Sequence, residues 1–139
     1  MANADRRLPL LDHSVDLVTS IHSRRNPTEA RRVLAPGRFH LVVVPAADDL
    51  IELRELVQGT RLERERADAV VIAHAELFQV VERAVVRETL ELERPALLAL
   101  LQGTYRGARH QATNRVAALT RMQVTLASEL LLFVPQRIV

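Results

Sequence analysis

The sequence lacks several residue types that mark particular classes of protein. Its 139 residues include no cysteine, tryptophan or lysine, and aromatic side chains make up only 3%. Without cysteine, neither a disulfide framework nor a Cys-based zinc site can form. No apolar run approaches the roughly 20 residues of a membrane-spanning helix, and the N-terminus has no apolar signal-peptide core. We therefore expect a cytoplasmic protein without a membrane partner.

Glycine is also scarce, and its spacing excludes common cofactor motifs. The four glycines stand at 37, 59, 103 and 107, and none forms a G-x-G turn between a strand and a helix. The five histidines lack the spacing of a helical metal pair, and no serine lies in a nucleophile-elbow pattern. The sequence therefore predicts no metal site, and no catalytic residue can be named from it.

The basic residues are all arginine, nineteen in number, yet the net charge is only +2. This excess is too small to predict nucleic-acid binding by itself. Two local clusters, Arg24-Arg25 and the segment 106–110, have side chains able to bind phosphate, because a guanidinium can contact two phosphate oxygens at once. For Arg31-Arg32 a solvated helix face is the preferred interpretation.

The segment 26–45 is the most informative part of the chain. Asn26 is a good helix cap, Pro27 suits the first helical position, and Glu29 stands where a capping-box carboxylate reaches back. Pro36-Gly37 should end the helix with a tight turn. The apolar run 39–44 then predicts a strand covered on both faces, as in parallel α/β sheets. A strand over 16–21 precedes this helix, which gives the order strand, helix, strand.

The remaining elements follow from apolar spacing and from helix-stop signals. Asp48 or Asp49 is expected to cap a helix that ends before Gly59, and the charged stretch 61–68 predicts a surface loop. We further expect a short helix over 69–78, a strand over 85–92, a helix over 95–101, a short helix over 114–119 and a final strand over 123–134.

The segment 8–45 resembles the second half of class I S-adenosylmethionine-dependent methyltransferases. In that family, "LP, acidic, Ser, x, Asp" precedes the fourth strand and "E, x, x, R-V-L, x, P-G" precedes the fifth. The later stretches 46–54, 100–105 and 124–128 are most similar to the 23S ribosomal RNA (guanine-N1)-methyltransferases, including their macrolide-resistance branch. The resemblance implies an α/β fold with a partial Rossmann-like sheet of strands 4, 5, 6 and 7. Strands 1 to 3 would be absent, and residues 1–139 would be a C-terminal half forming one structural unit.

The resemblance also implies where ligands would bind. The cofactor is S-adenosylmethionine in the parent family, and here only edge contacts to it are expected, because the glycine motif that holds it lies upstream in that family. An ordinary loop histidine is the alternative for position 22, and a space-filling ring is the alternative for position 105. The implied cofactor contacts are Ser20, Ile21 and His22, and the implied RNA contacts are Arg24, Arg25, Thr104, Tyr105, Arg109 and His110.

Two functions remain open from the sequence. The first is part of a methyltransferase that modifies guanine N1 of 23S ribosomal RNA and confers macrolide resistance, inactive when isolated. The second is a non-catalytic dimerising or RNA-binding module that retains half of a Rossmann-like sheet. The expected partners are ribosomal RNA and either a second copy or a separate N-terminal half, since loss of three strands would expose an edge strand.

Overall fold

The computed structural model describes residues 6–104 and 115–137. In this part of the chain, helices alternate with the strands of a four-stranded sheet in the order β1-β2-β4-β3. The elements are β1 (Val15–Ile21), α1 (Pro27–Val33), β2 (Leu34–Pro45), α2 (Ile51–Gln58), α3 (Ala67–His74), β3 (Phe78–Glu93), α4 (Arg94–Thr104) and β4 (Arg121–Pro135). None of the described helices is both long enough and apolar enough to cross a membrane.

The sheet is mixed, as in a partial Rossmann-like fold. β1 and β2 are parallel, with Ile21 opposite Val43, whereas β2 and β4 are antiparallel, with Val43 opposite Leu130. If β1 to β4 are numbered as strands 4 to 7 of the parent sheet, their spatial order is 4-5-7-6. The prediction of parallel neighbours ending near Ile21 and Val44 is confirmed.

The capped helix is present, but the turn predicted behind it is wrong. The Asn26 side chain accepts a hydrogen bond from the Glu29 amide at 3.3 Å, and Pro27 is the first helical residue. Helix α1 ends at Val33, and the strand begins at once rather than after Pro36-Gly37. Gly37 has φ of +72°, and the register of β1 against β2 shifts across this stretch. Proline and glycine therefore form an irregularity inside β2, which glycine permits because it has no Cβ.

Three further details of the helices and strands differ from the sequence predictions. No side chain caps α2, because the Asp48 carboxylate binds Arg87 and the Asp49 carboxylate accepts from the Ala127 amide. Helix α3 ends at His74, and Phe78 already begins β3, which starts seven residues before the predicted strand. Helix α4 continues through Gly103. The predicted helix over 114–119 lies partly outside the described residues.

The chain divides into two compact units, each with its own apolar core. The first comprises Met1–Ala46, Glu65–Val86 and Ser128–Val139, and the second comprises Ala47–Arg64 and Arg87–Ala127. That residues 1–139 form a single structural unit stays a prediction. The first core is built from Ala30, Leu34, Val42, Val44, Ala67, Val70, Phe78, Leu131 and Phe133, and the second from Leu50, Leu53, Leu97, Leu101, Val116 and Val124.

Candidate functional site

The carboxyl ends of β1 and β2 lie side by side and carry a tightly held loop. His22 follows β1 directly and has φ of +47°, a conformation uncommon for a residue with a Cβ. Its backbone N–H donates to the Val43 carbonyl at 3.0 Å, and its Nε2 shares a hydrogen bond with the Ser128 hydroxyl at 3.1 Å. Ser128 lies opposite Pro45 in the register of β2 and β4. His22 is thus positioned by three strands rather than by its own loop.

The Ser20 side chain is buried and stabilises the same loop from inside. Its hydroxyl lies 3.1 Å from the Ser23 hydroxyl and donates to the Arg24 carbonyl at 3.4 Å. Ile21, by contrast, is exposed at the outer strand of the sheet. Of the three residues predicted to meet the cofactor, Ser20 is therefore engaged inside the protein, while Ile21 and His22 lie on accessible surface.

An open cavity of about 520 Å³ lies within the first unit beside this loop. Side chains of opposite charge line it above an apolar floor supplied by β2 and α3. The Glu65 carboxylate also accepts a hydrogen bond from the Asp68 amide at 3.0 Å, which fixes it at the start of α3. The lining residues are His22, Ser23, Arg25, Val44, Pro45, Glu65, Arg66, Ala69, Val70 and Ala73.

A network of charged hydrogen bonds anchors the segment that precedes β1. The Glu29 carboxylate accepts from the Leu8 amide at 2.6 Å and from the Arg32 guanidinium at 2.7 and 2.9 Å. Arg32 also donates to the carbonyls of Leu8 and Leu10 and to the Asp12 carboxylate. The Arg32 and Leu8 hydrogen bonds lower the pKa of Glu29 to about 2. The "E, x, x, R" pattern of α1 thus fixes the "LP" segment in place.

The arginines differ in how far their guanidinium groups are engaged in hydrogen bonds within the protein. The expectation that Arg31-Arg32 form a solvated face is wrong, because Arg32 makes the network above and Arg31 donates to the Gln136 carbonyl at 2.8 Å. Arg25 makes a long contact of 3.4 Å with the Ser23 carbonyl and lines the cavity. The expected contact of Arg24 and Arg25 with RNA stays a prediction.

The second group of predicted RNA contacts cannot be placed beside the first. Thr104 is the last residue of α4, whose range belongs to the second unit. Tyr105, Arg109 and His110 lie outside the described residues. Their expected role therefore stays a prediction from the resemblance.

Sequence reasoning missed two features of the site, namely one part of the cavity wall and a contact that positions His22. Glu65 and Arg66 belong to an Arg-Glu run that composition alone marks as a solvated loop, and no local signal separates them from their neighbours. Ser128 lies in the stretch that carries the family resemblance, but its contact with His22 depends on strand pairing between residues 106 positions apart. Across the described residues, no cluster of three or more potential ligands could hold a metal ion.

Comparisons with solved structures show which class of fold this arrangement belongs to. A protein of Bacillus halodurans described as a methyltransferase aligns with a TM-score of 0.56 and 15% identity, over 96% of this chain and 69% of that one. A SAM-dependent methyltransferase of Methanosarcina mazei aligns with a TM-score of 0.52 and 14% identity, over 96% and 64%. The chain thus has part of the class I methyltransferase fold.

Sequence comparison shows which methyltransferases within this class the chain is similar to. A protein of Micromonospora griseorubida named as a 23S rRNA (guanine-N1)-methyltransferase is 34% identical over 93% of this chain and 45% of its own length. The 23S rRNA (guanine(748)-N1)-methyltransferase of Streptomyces fradiae is 31% identical over 86% and 44%. No family model matches the chain. The chain is homologous to part of the 23S rRNA (guanine-N1)-methyltransferases and spans less than half the length of these relatives.

Proposed function

We propose that this chain is the acceptor-side part of an S-adenosylmethionine-dependent methyltransferase that modifies guanine N1 of 23S ribosomal RNA. The observation that carries the proposal is the parallel pair β1 and β2, whose carboxyl ends bear His22 and the cavity. Ligands of open α/β sheets bind outside the carboxyl ends of the strands. Homology over about nine tenths of the chain supports the same reaction class.

The cavity has groups suited to a guanine base. An ionised carboxylate accepts hydrogen bonds and donates none. The edge of guanine that carries N1 presents N–H donors beside its carbonyl oxygen. Glu65 would accept from this edge, and Arg25 would bind the phosphate that follows the base. The apolar floor of Val44 and Val70 would exclude water from one face of the ring. These residues hold and orient the acceptor, and orientation is the main requirement of methyl transfer.

The described residues fit one side of a site for S-adenosylmethionine. The Ser20 hydroxyl is already used within its loop, and none of the described glycines forms part of a G-x-G turn between a strand and a helix. His22 and Ile21 remain for edge contacts. When bound, the cofactor supplies an electrophilic methyl group; its remaining contacts would come from the part of the parent protein that this chain does not span.

Isothermal titration with S-adenosylmethionine tests this division of the site. The isolated chain should show no binding in the micromolar range, because most of the cofactor contacts lie outside it. Micromolar binding by the chain alone would contradict the proposed division. A folding control, by circular dichroism on the same sample, shows that a negative result is not due to unfolded protein.

The acceptor side is tested with the chain expressed together with the unmatched part of the Micromonospora relative. Methylation at N1 blocks base pairing, so reverse transcription of 23S rRNA should stop at the modified guanine. Glu65→Gln should reduce the fraction of transcripts that stop at this guanine at least about tenfold if the ionised Glu65 carboxylate accepts from the base. Glu63→Gln, two residues earlier in the exposed loop, is the matched control. Equal loss in both variants would contradict a role for Glu65 in the site.

Macrolide resistance is a finer proposal that rests on the same reaction. Cells that express the active complex should grow at macrolide concentrations that inhibit cells carrying its Glu65→Gln variant. Growth that is equal in the two strains, despite a difference in 23S rRNA methylation, would separate resistance from methyl transfer.

A further inference from the structure

Methyl transfer to N1 of guanine requires that a proton leave the same atom. Neutral guanine carries a hydrogen on N1, and the electron pair that bonds to the methyl group becomes available as this N–H bond breaks. A base within hydrogen-bond reach of N1 can accept the proton in the transition state, which is general base catalysis. The cavity beside the loop after β1 therefore needs a proton acceptor as well as groups that orient the guanine.

Two side chains of the cavity wall can accept a proton, His22 and Glu65. An ordinary imidazole is a stronger base than an ordinary carboxylate, since their pKa values are about 6.5 and about 4.3. Near neutral pH a carboxylate is ionised and accepts hydrogen bonds, whereas an imidazole is mostly neutral and can take up a proton. The histidine is therefore better suited to remove the proton, and the carboxylate to hold the guanine edge.

Contacts from outside its own loop fix the position of His22. Its φ of +47° lies in the left-handed region, and such a backbone persists where the surrounding structure imposes it. Here the backbone N–H donates to the Val43 carbonyl at 3.0 Å, and Nε2 lies 3.1 Å from the Ser128 hydroxyl. Uncommon backbone conformations held in this way cluster at functional sites.

The contact with Ser128 gives the two ring nitrogens of His22 different roles. Nε2 is engaged by the hydroxyl, which leaves Nδ1 for a ligand in the cavity. A neutral imidazole has one N–H and one acceptor nitrogen, and the hydrogen bond made by one nitrogen sets which of them carries the proton. When Nε2–H donates to the Ser128 oxygen, the lone pair is on Nδ1.

We infer that His22 accepts the N1 proton of the guanine at Nδ1, and that Ser128 is a positioning residue that keeps the proton of the neutral ring on Nε2. This inference rests on the proposed function and deepens it. As N1 bonds to the methyl carbon, the N1–H bond breaks and the proton passes to Nδ1, while the electron pair of the broken sulfur–methyl bond stays on sulfur. The positive charge thus ends on the imidazole, where the Glu65 carboxylate of the same cavity favours it.

Charged groups of both signs belong to the segments that pack around His22. Carboxylates favour a protonated ring and guanidinium groups oppose it. Val44 and Pro45 of β2, which also line the cavity, do not titrate. The test therefore compares pH profiles between variants. The charged groups are Arg25 of the same loop, Glu65 and Arg66 before α3, and Glu129 of β4, which is paired with Arg83.

Nuclear magnetic resonance of the chain with ¹⁵N-labelled histidine tests the tautomer without any reaction. The signals of His22 are those that His22→Asn removes. The neutral ring should carry its proton on Nε2, Ser128→Ala should give a mixture of tautomers, and Ser128→Thr should keep the parent state because the hydroxyl remains. A neutral parent ring protonated on Nδ1 would overturn the inference, whatever the activity.

Single-turnover methylation tests the proton transfer, with the chain combined with the unmatched part of the Micromonospora relative. Asparagine also adopts the left-handed conformation but has no basic nitrogen, so His22→Asn should lower the rate at about pH 7.5 by about 100-fold or more. This loss should shrink as the pH rises, because N1 then loses its proton to hydroxide. Ser128→Ala should lower the rate about fivefold, as expected for one lost hydrogen bond, and should shift the pH profile.

His13→Asn is the matched control, because His13 also has a left-handed backbone, with φ of +54°, and lies outside the cavity. It should leave the rate within about twofold of the parent, and circular dichroism confirms that each variant folds. A loss below about tenfold in His22→Asn, a loss of the same size at every pH, or an equal loss in His13→Asn would overturn the inference and leave the proposed function intact. A parent complex that methylates at no pH contradicts the proposed function and the inference with it.

Discussion

Lowering the pH should destabilise the first unit through two buried histidines. His40 of β2 and His74 of α3 are almost inaccessible, with 5.6 Å between the two imidazole centroids. The His40 ring packs at a tilt against Phe78, and the His74 ring stacks on Phe133. Their Nδ1 atoms contact the carbonyls of Val18 and Val70 at 2.9 and 2.8 Å. A carbonyl only accepts, so each ring carries its proton on Nδ1. Each Nε2 is then buried without a hydrogen-bond partner among the described atoms.

The sign of the effect follows from where protons bind. Burial lowers the pKa of both histidines in the folded state, and the charge of a protonated His74 would lower that of His40 further. Below pH 6.5 the unfolded chain binds these protons and the folded chain does not, so the free energy of unfolding falls. The slope is at most about 1.4 kcal/mol per pH unit for each histidine, or about 2.8 for both, and it reaches this limit only where the histidine is protonated in the unfolded chain and neutral in the folded one. This stability is fully present above pH 6.5.

Urea denaturation followed by circular dichroism at about pH 7.5, 6.5 and 5.5 measures this slope. His40→Phe and His74→Phe should each remove about half of the contribution. At the highest pH each variant should lose about 1 kcal/mol, because one hydrogen bond to a carbonyl is missing. Phe78→Leu is the control, since it disturbs the same cluster without a titrating group. A slope in the histidine variants equal to that of the parent chain would refute the reasoning.

Four other perturbations have outcomes set by the surroundings of single residues. Glu29→Gln should abolish the part of the stability that the parent chain loses as pH falls from about 4.5 towards about 2, since the pKa of Glu29 is depressed in the folded state; acid titration of unfolding measures this. Glu52→Ala should cost about 1 to 3 kcal/mol in urea denaturation, because Glu52 accepts from both the amide and the hydroxyl of Thr125 at 2.9 and 2.6 Å. Leu53→Ala should cost about 2 to 5 kcal/mol, since Leu53 is fully buried in the second core; a cost below about 1 kcal/mol would contradict that packing. Asp48→Ala should change stability by less than about 1 kcal/mol, since its pairing with Arg87 lies near the surface.

Local chemistry allowed several elements to be predicted from the sequence. The cap at Asn26 and the proline at position 27 specify the start of α1 by their own hydrogen bonding and fixed dihedral. Gly59 ends α2 in the left-handed conformation that glycine adopts at no steric cost. The apolar run before Pro45 predicted a strand, and its residues on one face, His40, Val42 and Val44, are buried. The prediction that both faces are covered is wrong, because Phe39 on the other face is 40% exposed. The family motifs added the strand number and the parallel pairing.

The tertiary structure decided the features that depend on residues distant in the chain. Pro36-Gly37 has the composition of a turn, but pairing of Leu34 with Val15 extends β2 across it. Asp49 is a residue type that often caps helices, but here its carboxylate accepts a hydrogen bond from the Ala127 amide. The contact of His22 with Ser128 and the place of Glu65 in the cavity wall depend likewise on packing. The sequence by itself determined where α1 begins and where α2 ends, because caps and turns act over a few residues. Which polar groups meet, and where β2 and β3 begin, was decided only when the sheet brought distant segments together.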